Sequence, residues 1–175
     1  MLYRFNIDLS DIDRGIYQSL DFRIAQHPSE TLIYLLCRAI AYIHSYDAQL
    51  EFSGAGLSDP EAAALKMTER NGNIKLWIEI GNPSPKKLHK ASKMSQIVQI
   101  YNYKNSHHLV EEINNADVHK KESLQIFQIE QKFLENIEKI LEKNNRWSVL
   151  IQQGQFDLNI NTNSYVTEIK KITLS

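Results

Sequence analysis

One carboxylate stands in the middle of an otherwise apolar strand, Ile74-Lys75-Leu76-Trp77-Ile78-Glu79-Ile80-Gly81. Ile74, Leu76, Ile78 and Ile80 alternate and so share one strand face, while Glu79 shares the opposite face with Trp77. Asn71-Gly72 before the run predicts a two-residue hairpin turn, and Gly81-Asn82-Pro83-Ser84-Pro85 after it breaks the chain. That turn sets Glu79 opposite Ala64, and the side-chain period of two then puts Glu61 on the other face. A three-residue turn or a bulge would return Glu61 to the face of Glu79.

The rest of the chain alternates strands and helices. Residues 2–10 read as a strand with Tyr3, Phe5, Ile7 and Leu9 inward, followed by turn chemistry at 11–15 and a second strand at 17–25. A long amphipathic helix is expected from near Pro28 to Ser45-Tyr46, with Leu32, Leu35, Leu36, Ala39, Ile40 and Ile43 as its buried stripe. Leu50-Glu51-Phe52 reads as a short strand, residues 53–56 as a loop and 62–69 as the first strand of the Asn71-Gly72 hairpin. A short helix then carries Lys86, Lys87, His89, Lys90 and Lys93. Strands are expected at 96–103 and 124–129, helices at 105–115 and 130–143, and closing strands at 147–153, 156–161 and 165–172. The strand–helix–strand order from Gln96 onward predicts parallel pairing with crossover helices. The fold class is α/β: one mixed β-sheet flanked by helices, with antiparallel hairpins at both ends.

Bulk properties narrow the setting. A chain of 175 residues is expected to form a single domain, 1–175, with a core that needs no disulfides. The formal net charge of −1 supplies no global field for nucleic acid, so any phosphate contact must come from a local patch. The single cysteine, Cys37, has no internal partner, which fits a reducing cytoplasm, and its apolar helix makes it a core residue. No apolar run approaches the roughly 18–20 residues that span a bilayer, and Met1-Leu2-Tyr3-Arg4-Phe5 does not open a signal peptide. His107-His108 has no partner at zinc spacing, and neither a Gly-rich phosphate loop nor a serine-nucleophile elbow is present.

Two segments carry a family resemblance. His27-Pro28-Ser29-Glu30-Thr31 opens the first helix, and Leu76-Trp77-Ile78-Glu79-Ile80-Gly81 is followed by Pro83 and then Lys90-Ala91. Together, at these separations, they resemble the YaeQ family of bacterial proteins, which is similar in fold to the PD-(D/E)xK, restriction-endonuclease-like phosphodiesterases. The resemblance implies a nuclease-like scaffold of poorly defined biochemical role. An active site of that kind would hold Mg²⁺ on carboxylates, and the ion would stabilise the phosphate charge and activate a water.

Carried over residue by residue, Glu79 stands at the second acid of the motif. Gly81 stands where the motif has lysine, and Lys90 on the next helix is the expected substitute. Pro60-Glu61 resembles the proline–acid pair, and Glu30 is a third candidate carboxylate. The implied set is Glu79, Lys90 and Glu30 for catalysis, Glu79, Glu30 and Glu61 for the metal, and Lys86, Lys87, Lys90 and Lys93 for nucleic acid. Other readings stand beside these. Glu79 could lie on a solvated face with Lys75, Glu30 could satisfy a helix dipole, and Glu61 could be a loop residue. Arg38 is expected to form a structural ion pair with Glu30 or Asp47, and His27 to cap or pack. The alternative function is a non-catalytic module binding nucleic acid or a protein partner, with Trp77, Tyr101 and Tyr103 beside the lysines as contact surface.

Overall fold

The computed structural model describes residues 1–54 and 59–174. The expected loop at 53–56 therefore lies partly outside the described residues. Four helices and eleven strands are described, and the strands form two sheets where one was expected. The chain divides into two compact units, residues 1–39 with 129–170, and residues 40–128 with 171–175.

The first unit is built on a five-stranded sheet. Strands β1 (Leu2–Asp11) and β2 (Ile16–Ala25) form the expected hairpin, paired over their whole length from Leu2–Ala25 to Asp11–Ile16. Strand β8 (Asn144–Gln152) lies parallel to β1, and β9 (Gln155–Ile160) and β10 (Asn163–Glu168) continue antiparallel. The sheet order is β10-β9-β8-β1-β2. Alternation decides which side chains are buried: Tyr3, Phe5, Ile7 and Leu9 of β1 lie inward with Leu20, Phe22 and Ile24 of β2 and Trp147, Val149 and Ile151 of β8. Phe5 stacks on Phe22 and meets Trp147 edge-on, each at 5.1 Å between ring centroids. Helix α4 (Gln131–Glu138) packs its Phe133 against Phe156 of β9.

The second unit is built on a six-stranded sheet of order β11-β7-β6-β5-β4-β3. Its strands are β3 (Leu50–Phe52), β4 (Leu65–Thr68), β5 (Ile74–Ile80), β6 (Ser95–Asn102), β7 (Gln125–Gln128) and β11 (Lys170–Ile172). Strands β5, β6 and β7 are mutually parallel. Helices α2 (Pro85–Met94) and α3 (Ser106–Asn114) are the crossovers between them, as the alternation of elements requires. One core joins Trp77, Val98, Ile100 and Ile126 of the sheet to Leu88 and Ala91 of α2 and Leu109 and Ile113 of α3. Helix α1 (Leu32–His44) begins in the first unit and ends in the second.

Five expectations need correction. The closing strand expected at 165–172 is two strands, β10 in the first sheet and β11 in the second. Strand β8 does not extend the parallel series of β5–β7 but joins β1 in the other sheet, because its nine residues match the length and alternation of β1 whereas β7 offers four. Helix α1 starts at Leu32, not near Pro28. Glu30 N–H bonds to the His27 carbonyl at 2.9 Å in a turn, and Thr31 Oγ1 caps the helix by accepting Tyr34 N–H at 3.1 Å. Helix α4 ends at Glu138 rather than near Lys143, since the Asn145 side chain takes both the N–H and the carbonyl of Glu142 to form the turn into β8. The β4–β5 hairpin has a three-residue loop, Arg70-Asn71-Gly72, closed by Glu69 N–H to the Asn73 carbonyl at 2.8 Å. Gly72 takes φ +88° there, a conformation that costs glycine little.

Candidate functional site

Both of the irregularities that could move Glu61 are present, and they cancel. The three-residue loop shifts the register by one residue, a bulge between Met67 and Thr68 shifts it back, and Leu65 pairs with Ile78 as a two-residue turn would require. Strand β4 begins only at Leu65, so Glu61 lies in the preceding turn, where strand parity does not govern it.

Glu79 is buried, with 3% of its surface exposed. The Trp77 indole N–H, two residues earlier on the same face, donates to Oε1 at 2.8 Å. The Lys87 ammonium lies 3.1 Å from Oε2. Lys87 arrives there because Ser84 caps α2 by accepting Lys87 N–H at 3.2 Å and Pro85 opens the first turn. Burial pushes the Glu79 carboxyl above the ordinary carboxylate range, against the opposing pull of Lys87 and of the Trp77 hydrogen bond. The solvated pairing with Lys75 is therefore replaced by a buried pairing with Lys87.

One turn further along α2, Lys90 pairs with Glu61. This pair is exposed, and the lysine, through hydrogen bond and charge, holds the Glu61 carboxyl below its usual range. Residues Lys87 and Lys90 are three apart on the helix and so neighbours on its surface. The helix thus gathers both motif-like acids of this unit, each on its own lysine. Lys86, Lys90 and Lys93 are exposed and spaced four and three apart, which makes one stripe along α2.

The third candidate acid, Glu30, belongs to the other unit. Arg38 Nε and Nη2 grip its two carboxylate oxygens at 2.7 Å each, and His27 N–H adds a bond at 3.1 Å. The fork makes Glu30 a structural partner of Arg38, the pairing expected from the helix pattern. His27 shapes the turn, with its ring bonded to Ser29 at 2.8 Å.

The end of β5 is also tied to β6. The Asn102 amide donates to the Gly81 carbonyl at 3.1 Å and to Asn82 Oδ1, while its own buried Oδ1 has no partner. Gly81, at the motif's lysine position, has φ +85°, a conformation that favours glycine over lysine. The aromatic contact surface does not form: Trp77, Tyr101 and Tyr103 are 3%, 0% and 7% exposed. Tyr101 instead bonds the His44 ring at 2.7 Å and Ser45 Oγ, anchoring the end of α1 on β6.

Both carboxylates that could hold a magnesium ion in this unit already meet a lysine, Glu79 on Lys87 and Glu61 on Lys90. Among the described residues, no three His, Cys, Asp or Glu side chains gather so as to hold a metal. A metal at Glu79 would have to displace the chain's own ammonium from a buried carboxylate.

The family model of the YaeQ protein matches residues 1–169. The chain belongs to the YaeQ family. It is 29% identical over 102 residues to the uncharacterised protein YaeQ of Escherichia coli K12, and equally to that of Shigella flexneri. Each match covers 58% of this chain and 56% of the relative, so it spans little more than half of the curated protein's length. Among solved structures, YaeQ from Xanthomonas axonopodis pv. citri superposes with a TM-score of 0.91 at 26% identity, covering 99% of this chain and 98% of that one. YaeQ from Pseudomonas syringae gives 0.87 at 28% identity, covering 98% and 95%. No helix among the described residues is long and apolar enough to cross a membrane.

Two features of the site escaped the sequence reading. One is that Lys87, rather than Lys90, meets Glu79. Glu79 is the penultimate residue of β5 and Lys87 lies in the first turn of the next helix, so the short β5–α2 connection carried that signal. The other is the Trp77 indole bond, which the shared strand face foreshadowed.

Proposed function

We propose that this YaeQ-family chain is a non-catalytic module on a nuclease-like scaffold, which contacts the phosphate backbone of nucleic acid through α2. The observation that carries this reading is that each oxygen of Glu79 is engaged within the chain, one by the Trp77 N–H and one by the Lys87 ammonium. In a phosphodiesterase that carboxylate would face metal and substrate; here it fastens α2 to β5. The exposed stripe of Lys86, Lys90 and Lys93 supplies the cations, with Lys90 partly neutralised by Glu61.

A second reading, a Mg²⁺-dependent phosphodiesterase, is favoured by one observation: Glu61 and Glu79 meet lysines one turn apart on the same helix. The same experiment separates the two. Anisotropy of labelled DNA and RNA oligonucleotides, titrated across salt with and without Mg²⁺ or Mn²⁺, should show binding without product. The slope of log K against log salt should be about −2 to −3 for two or three phosphate contacts, and should shrink when Lys86 and Lys93 are replaced by alanine. Cleavage abolished by Glu79→Gln would install the second reading, and absence of binding would defeat the first.

A further inference from the structure

We propose that the chain forms a homodimer through β2, whose outer edge pairs antiparallel with the same strand of a second copy about a two-fold axis at Phe22. Strand β2 is the outermost strand of its sheet. It runs ten residues, Ile16–Ala25, and pairs with β1 without a register break. Such an edge offers backbone donors and acceptors to another strand, except that the Ala25 carbonyl at its end already accepts from Arg38 Nη2 at 3.3 Å. Proteins commonly blunt long edges with charged side chains, lysine above all, with proline, bulges or short strands, or with a covering element, and the charges on β2 are Asp21 and Arg23. Strand β2 contains no proline, lysine or glycine and has no bulge against β1. The opposite edge of the sheet, β10, is six residues long.

The charges on β2 select its partner and register. Arg4 and Arg23 lie directly opposite each other across β1 and β2, a like-charge pair that needs an anion. Asp21 holds Arg4 in a fork, at 3.1 and 2.7 Å, and also feels the charge of Arg23. Antiparallel self-pairing about Phe22 sets Asp21 opposite Arg23 of the partner subunit, and the symmetry repeats the contact. Leu20 then lies opposite the partner's Ile24, so the buried face continues across the axis. An axis at Asp21 or at Arg23 would oppose like charges, and one at Leu20 or Ile24 would leave the two signs unmatched. An axis between residues would set the polar face of one copy against the apolar face of the other. The unlike charges are thus arranged symmetrically about one residue, which self-pairing needs and a foreign strand does not. The product is one continuous ten-stranded sheet, five strands from each copy.

Light scattering on the eluting full-length chain should give twice the monomer mass of 20.3 kDa. Arg23→Glu sets two carboxylates against each other across the axis and should weaken the dimer at least about tenfold. The same change places an acid beside Arg4 within the chain, so folding, followed by circular dichroism, should be retained. Register is read by the double variant Ser19→Cys/Ala25→Cys. These positions face each other across the axis within disulfide reach. Mild oxidation should cross-link the double variant but neither single one, and the native Cys37 is buried. A monomeric wild-type chain at hundreds of micromolar, or a dimer unaffected by Arg23→Glu and not cross-linked by the pair, would overturn the proposal.

Discussion

The Lys87 ammonium lies 3.1 Å from Glu79 Oε2, so the first turn of α2 is fastened to the end of β5 through a buried carboxylate. The carboxylate has lost most of its hydration, and one lysine and one indole stand in for water. Desolvation outweighs these partners, and the folded-state affinity of Glu79 for a proton exceeds that of the unfolded chain.

That balance predicts a pH dependence of stability with a definite sign. A carboxyl whose folded value lies above its unfolded value binds more protons in the folded state between the two. Stability therefore falls as pH rises through that window, which starts at the ordinary glutamate value and extends upward. Urea denaturation across pH should show this decline in the wild-type chain. Glu79→Gln, which cannot titrate, should flatten it. A decline of unchanged size in the variant would place the titration elsewhere.

Trp77→Phe should lose about 1–2 kcal/mol for the hydrogen bond, in addition to the cost of the smaller buried ring. The substitution keeps one aromatic ring in the core beneath α2 and α3 but removes the pyrrole part of the indole together with the N–H that donates to Glu79 Oε1, so the single variant mixes a cavity cost with the lost bond. Chemical denaturation measures the loss. Combining it with Glu79→Ala, which removes the acceptor, tests the origin, since the two effects should fall short of additivity if they share one hydrogen bond.

The buried fork between Arg38 and Glu30 calls for a different cycle. Arg38→Met leaves a buried carboxylate without its cation, and Glu30→Gln leaves a guanidinium without its anion. Each should cost about 3–5 kcal/mol, and the double variant should lose much less than their sum because it strands no charge. Equal and additive losses would mean that the pair contributes through packing alone. Since both oxygens of Glu30 are already held by Arg38, neither variant is expected to change metal affinity.

The features legible in the sequence were those set by near neighbours. The β1–β2 hairpin follows from alternation and turn residues, and α2 follows from the chain break at 81–85 and the lysine-bearing run after it. The pairing of Leu65 with Ile78 was also anticipated, but by a simpler route than the one taken, since a longer loop and a bulge offset each other. The division into two sheets was not legible, because β1 and β8 come from opposite ends of the chain and nothing local names a parallel partner. Helix phase was the missing datum at the site. Lys86, Lys87, Lys90 and Lys93 look equivalent as a string, and only the angle at which α2 leaves its cap decides that Lys87 turns inward and the other three outward.

Cys37 offers a probe of opening that needs no substitution. It is fully buried on α1, and burial raises its thiol well above the usual value, so almost no thiolate forms near neutral pH. Native protein should react with a thiol reagent far more slowly than denatured protein does. The rate should follow the population of opened molecules, because the reagent must wait for α1 to leave its core. Variants that break the Arg38–Glu30 fork, one residue further along the same helix, should raise the logarithm of the labelling rate in proportion to their loss of stability. A rate that does not respond to those variants would show that Cys37 is reached by a local fluctuation that leaves the ion pair intact.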